Sequence, residues 1–238
     1  MSLYRKYFAY SCLLLIITAC GKSADELYQE GRNQLDQSNY VEAIPLLRKA
    51  AEKDPENSGI QNALGVAFLR IDSTASALNA FNRAIDVDST DYKPFYNRGN
   101  AKRLLGLDQG AMDDYNKAIE INPSLADAYT YRGTIYAKYQ DFDNALFDFG
   151  YSLTLNDQNP LVYMYKGRIE LVTENVEDAM YDFKKAVEIK NDLGEAWYWM
   201  GLAEIARENL TEGCSYLETA AQNNFEQASN AYAQNCLQ

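Results

Sequence analysis

A glycine returns every 34 residues along this chain, at Gly31, Gly65, Gly99, Gly133, Gly167 and Gly201. Other positions keep step with it. Twelve residues after each glycine stand Ala43, Ala77, Ala111, Ala145, Ala179 and, in the last copy, Gly213. Four further on come Leu47, Phe81, Tyr115, Phe149, Phe183 and Leu217. Three beyond those are Ala50, Ala84, Ala118, Ser152, Ala186 and Ala220. A small–small–large–small pattern held in register over six copies implies one supersecondary unit used six times.

Each position has a physical reason. A glycine and an alanine facing each other let two antiparallel helices approach closely, the large residue fills the space between neighbouring pairs, and the last alanine admits the next helix. Each copy therefore reads as helix A, a polar turn and helix B. Asn39, Ser73, Asp141, Asn175 and Asn209 share one turn position, where each side chain can accept a bond from the free N–H groups of helix B. Asn39 with Glu42, and Asn209 with Glu212, have capping-box spacing. Pro55 and Pro123 fall where helix B should stop, and Pro45 sits early in the first helix B, where it is expected to delay or kink it. Gly213 should weaken the last helix B by roughly 0.5–1 kcal/mol relative to Ala.

The period and the residue pattern resemble the tetratricopeptide repeat over about residues 24–227. The resemblance implies an all-α, right-handed superhelical solenoid of six helix-turn-helix units at 24–57, 58–91, 92–125, 126–159, 160–193 and 194–227. Residues 228–238 should form a C-terminal capping helix over the open end.

The N-terminus is of another kind. Arg5 and Lys6 precede an apolar run from Phe8 to Ile17, too short to span a bilayer, which reads as a signal peptide over 1–19. Ile17-Thr18-Ala19-Cys20 resembles the lipobox of bacterial lipoproteins. That resemblance implies a diacylglyceryl group on the Cys20 thiol, cleavage before Cys20, and further acylation of the new terminus with a palmitate-type chain. One acyl chain holds a protein at a membrane only marginally, whereas two or three hold it firmly. Residues 20–23 then form the lipidated end and a short linker, and Cys12 leaves with the leader. The implied location is the bacterial cell envelope. The absence of Asp after Cys20 favours the outer membrane. The alternative is an ordinary cleaved signal followed by an incidental cysteine.

The chain has no histidine and a formal charge of -12. Without histidine it lacks the commonest general base and metal ligand, and every Ser-His or Cys-His pair. So acidic a surface repels phosphate backbones, so nucleic acid is not an expected partner. No nucleophile, metal or phosphate motif stands out, and the expectation is a non-enzyme without cofactor.

Two cysteines remain beyond the leader. Cys214 falls near the start of the sixth helix B and Cys236 near the end of the capping helix. Counted from a turn near Asn224, the two come level in an antiparallel hairpin. Their α-carbons can then lie within the roughly 4.4–6.8 Å a disulfide needs, and an exported protein meets oxidising conditions. The alternative is two free thiols on packed faces.

In the family that the repeats resemble, ligands lie along the A helices. Carried over position by position, the implied contacts are Tyr28, Arg32, Arg70, Lys93, Tyr96 and Asn100 in the first half. In the second half they are Arg103, Lys138, Met164, Arg168 and Tyr198. This face carries six basic residues against four acidic ones (Asp25, Asp36, Asp127 and Glu195), unlike the rest of the chain. It suits an extended or helical protein segment bearing acidic and apolar residues. A carboxylate clamp known in the family is incomplete: Lys93 and Asn97 fit its first pair, but Tyr131 and Tyr165 stand where Asn would follow. The expected function is a membrane-anchored adaptor in envelope assembly, either pilotin-like or serving a wall enzyme. The alternative is a glycan-binding surface lipoprotein using tyrosine and tryptophan platforms, with Trp197, Tyr198 and Trp199 the densest cluster.

Overall fold

A computed structural model describes residues 21–237. The signal peptide expected over 1–19 and the expected lipid site Cys20 lie outside the described residues. The described chain is thirteen α-helices, with no strand among these residues. They are α1 (Ala24–Asp36), α2 (Tyr40–Lys53), α3 (Ser58–Arg70), α4 (Thr74–Val87), α5 (Tyr92–Leu104), α6 (Asp108–Ile121) and α7 (Ala126–Lys138). Then follow α8 (Phe142–Leu155), α9 (Pro160–Val172), α10 (Val176–Ile189), α11 (Gly194–Ala206), α12 (Leu210–Gln222) and α13 (Glu226–Cys236). Two compact units divide between Ala101 and Lys102, inside α5.

In the first unit α1 packs on α2, α2 on α3 and α3 on α4, and α1 also touches α3. Leu47, Ala63, Ala67, Ala77 and Phe81 form its core. In the second unit consecutive helices from α6 to α13 pack in the same way. There α7 meets α9 and α9 meets α11, so these A helices lie side by side. The glycines make this closeness possible. A Cβ on Gly133 would stand 2.8 Å from Phe149, well inside contact distance. Gly213 answers to the same demand, since a Cβ there would lie 2.9 Å from the Gly201 carbonyl oxygen and 2.7 Å from Ile205. What looked like a weakness in α12 is the condition for its fit.

The turn chemistry differs from the sequence expectation. Asn39, Ser73, Asn175 and Asn209 stand at the N-caps of α2, α4, α10 and α12, yet none accepts a capping bond; only Asp141 does, from Asn144 N at 3.4 Å. The reason is the end of the preceding helix. Ser38, Asp72, Gly106, Gln140, Glu174 and Glu208 all have φ between 58° and 72°, again at intervals of 34. Each N–H that follows bonds back five residues, as Asn39 N does to Gln34 O at 2.8 Å and Asn175 N to Glu170 O at 2.8 Å. This is a Schellman turn. It leaves the next residue near ψ 60–73°, and from there four of the five side chains make no bond to an N–H of the new helix. The two expected capping boxes are therefore absent: Asn39 Nδ2 donates to Gln34, and Asn209 Nδ2 to Glu204 and Glu212. A real capping box opens α1 instead, with Ser23 Oγ accepting from Glu26 N at 3.1 Å and Glu26 accepting from Ser23 N at 2.7 Å.

Proline proves less decisive than expected. The helix α2 begins at Tyr40 and runs through Pro45 without delay. The helices before Pro55 and Pro123 end at Lys53 and Ile121, and α4, α8 and α10 end at the same register with no proline. In all five the next N–H bonds to the carbonyl of the repeat's last small residue, Ala50, Ala84, Ala118, Ser152 or Ala186.

Buried ion pairs tie the middle of the second unit together. Arg132 holds Asp148 through two bonds of 2.7 and 2.8 Å, and Asp148 is 1% exposed. Lys102 reaches Asp114 at 2.8 Å. Lys166 bonds both Asp182, at 2.6 Å, and Glu170. Burial pushes the Glu170 carboxyl up to about 7, against the bond from Lys166 that pulls it down. At the C-terminal end Cys214 and Cys236 are joined by a disulfide with α-carbons 5.8 Å apart, so α13 is tied to α12.

Candidate binding site

Three A helices of the second unit each present an aromatic residue at their sixth position: Tyr131 on α7, Tyr165 on α9 and Trp199 on α11. The spacing of 34 brings them to one wall, and they line a cavity of about 660 Å³. Phe142, Phe149, Leu161, Ile169 and Val172 supply apolar surface to it. Phe149 stacks on Tyr165 with ring centroids 5.9 Å apart, and burial raises the Tyr165 phenol above its ordinary range.

Cations border the same cavity. The Arg103 guanidinium lies 4.7 Å from the Tyr131 ring centre, and that of Arg168 lies 5.1 Å from Trp199. Such contacts hold a cation over an aromatic face without neutralising it. Arg103 Nε is buried and has no hydrogen-bond partner among the described residues. Arg168 reaches Glu195 at 3.1 Å, and the same carboxylate accepts from Trp199 Nε1 at 3.4 Å. Lys138 is more committed. It bonds Asp108, which also accepts from the Tyr139 hydroxyl at 3.0 Å, and the Lys138 bond holds the Asp108 carboxyl below its usual range. The site can thus offer aromatic and aliphatic contact together with two arginines.

The structure gathers some of the expected residues and disperses others. Arg103, Lys138 and Arg168 meet at this cavity. Met164 does not: it is 1% exposed, packed among Ala179, Ala196 and Met200, and is corrected from a contact residue to a core residue. Its position on α9 faces the neighbouring A helix, where an unbranched side chain fills the gap. Tyr198 is half-buried against Phe225 and Trp199, with centroids 5.0 and 5.3 Å away. Trp197 packs on Tyr216 and donates to the Asn191 carbonyl at 2.7 Å. In the first unit Arg32 lies over the Tyr28 ring at 5.8 Å, Arg70 and Lys93 are exposed, and Tyr96 and Asn100 are half-buried. Asn97 donates to Asn62 at 2.9 Å, so the first pair of the incomplete clamp is already engaged at its amide.

The residues that the sequence reading passed over are Tyr131, Tyr165 and Trp199. In the sequence Tyr131 and Tyr165 stand out only as departures from the carboxylate clamp, and Trp199 only as part of one aromatic cluster. The signal was present as an aromatic residue repeated at one position in three successive copies.

The helix pairs and their side-by-side A helices have the fold of tetratricopeptide repeats. Residues 28–94 match a family model described as tetratricopeptide repeat, and residues 99–140 match one described as TPR repeat. Among curated proteins, serine/threonine-protein phosphatase 5 of Homo sapiens is 29% identical over 91 residues, or 38% of this chain. The match spans only 18% of the phosphatase. Among solved structures, pilF of Pseudomonas aeruginosa superposes with a TM-score of 0.78 at 19% identity, covering 89% of this chain and 95% of that one. YrrB, a TPR protein with an unusual peptide-binding site, gives 0.66 at 18% identity, covering 79% and 97%. These likenesses show the fold.

Proposed function

We propose that this protein is a non-catalytic scaffold of the bacterial cell envelope that captures segments of other proteins carrying acidic and apolar side chains. The observation that carries the reading is the cavity in which Tyr131, Tyr165 and Trp199 stand beside Arg103 and Arg168. Aromatic rings give rigid contact area at low entropic cost, and arginine forks grip carboxylates in bidentate fashion. A neighbour in fold, YrrB, is a TPR protein with a peptide-binding site, which supports the same kind of use here. The glycan reading needs open aromatic faces, and Arg103 and Arg168 already cover Tyr131 and Trp199.

The second part of the proposal is the anchor. Lipid on Cys20 would hold the protein at the membrane, the outer one where the cell has two, and place its repeats close to the surface. Among the described residues no helix is long and apolar enough to cross a membrane. The role would be that of an adaptor in envelope assembly, pilotin-like or serving a wall enzyme.

A photoreactive residue in place of Arg103 tests the site in cells. A defined protein should be captured, and a synthetic peptide from its crosslinked segment should compete. Capture that no such peptide reduces contradicts the site. Cys20→Ser tests the anchor: the protein should leave the membrane fraction or retain its leader, and unchanged fractionation with unchanged acyl labelling contradicts it.

A further inference from the structure

The first unit has a cavity of its own, about 620 Å³, lined from α2, α3 and α4. Internal comparison explains why it is open. In the fourth repeat Tyr129 packs against Tyr151 with centroids 4.6 Å apart, and Arg132 holds Asp148 beside them. The same four positions in the second repeat are Gln61, Arg83, Leu64 and Ala80, and all four line the cavity. Phe95, Tyr163 and Trp197 occupy the Gln61 position in three more copies. Where those copies carry an aromatic ring, this one carries an amide beside a small residue.

What the cavity exposes is suited to an anion. Arg48 and Arg83 line it, and among the described residues neither has a carboxylate partner; Arg48 lies over the Phe68 ring at 5.3 Å. Two unpaired arginines are notable on a chain with a formal charge of -12. Gln61 is 3% exposed and lines the cavity. An amide on the cavity wall can donate to an oxyanion. Glu52 is the single acidic residue on the lining, and Leu64, Phe68 and Ala80 give an apolar wall.

We propose that this cavity binds a small organic oxyanion. Its carboxylate or phosphate head sits between Arg48 and Arg83, the Gln61 amide donates to it, and its apolar body rests on Leu64 and Phe68. This site uses none of the residues of the second-unit cavity, and it stands or falls separately from the proposed function.

Calorimetric titration of the purified full chain with phenylacetate, phenyl phosphate and neutral phenylacetamide tests it. At least one anion should bind saturably, about tenfold or more tighter than the amide. Preference between the two anions identifies the head. Arg48→Gln with Arg83→Gln, both at exposed positions, should weaken that binding by about tenfold or more. Gln61→Tyr, which restores the residue of the fourth and fifth repeats, should abolish it at an unchanged or higher melting temperature. No saturable binding of either anion at millimolar concentration overturns the proposal. So does equal binding of phenylacetamide, or binding that the double arginine variant leaves intact.

Discussion

Replacing Glu170 by glutamine should change how stability depends on pH, because of the carboxyl group's position. Glu170 is 6% exposed at the end of α9, where Lys166 serves both it and Asp182. One ammonium between two carboxylates leaves excess negative charge, and burial pushes the Glu170 carboxyl up from 4.5 to about 7. Between those values the folded chain holds a proton that the unfolded chain has released. The stabilising contribution is therefore full below pH 4.5 and is lost as pH rises through 7. The difference of about 2.5 pH units corresponds to at most about 3.4 kcal/mol. Few groups obscure the window: the chain has no histidine, and Cys214 and Cys236 are bonded and do not titrate. Glu170→Gln removes the titration and leaves Lys166 paired one-to-one with Asp182. Urea unfolding of both proteins from pH 5 to pH 8 measures the effect. The stability of the variant relative to the native chain should rise with pH by about 1–3 kcal/mol over that range. A difference that stays constant within about 0.5 kcal/mol, or that falls with pH, refutes the reasoning.

Asp148→Ala should cost about 3–5 kcal/mol, since it strands the Arg132 guanidinium without its bidentate partner; a loss below about 1 kcal/mol in denaturant unfolding contradicts a buried pair. Gln140→Gly should raise stability by about 0.5–1 kcal/mol, because the side chain at φ 60° costs more than the added freedom of the unfolded glycine; a lower unfolding midpoint counts against the Schellman turn. Cys214→Ser with Cys236→Ser should speed amide exchange along α13 by up to about 100-fold, the equivalent of roughly 3 kcal/mol for a loop of this length. Two titratable thiols in denatured, unreduced protein would reject the bond.

The sequence showed helices more clearly than the contacts at their ends. The glycine period sets where α1, α3, α7, α9 and α11 lie, because close packing at Gly133 and its counterparts tolerates no Cβ. The caps are not legible in the sequence because polar residues at Asn39 and Asn175 suit both an N-cap and the second residue of a Schellman turn, and only backbone angles separate the two. The positive φ at Gln140 and Glu174 is invisible to composition, since glycine holds that position in a single copy, at Gly106. Arg103 and Arg168 were legible as a basic excess on an acidic chain. Met164 was not legible as core, because its burial depends on how α9 meets α11. Tyr131, Tyr165 and Trp199 required the side-by-side arrangement of their helices before their shared spacing acquired meaning.

The central claim is that the cavity between α7, α9 and α11 binds an acidic, apolar protein segment through Arg103 and Arg168. Calorimetric titration of the captured segment into the native chain and into Arg103→Glu with Arg168→Glu tests it most directly. The double reversal should weaken binding by about 100-fold or more while helicity and melting temperature stay nearly unchanged, as two lost charge-assisted contacts of about 1.5–3 kcal/mol each would require. Affinity within about twofold of native in a folded double variant would contradict the claim.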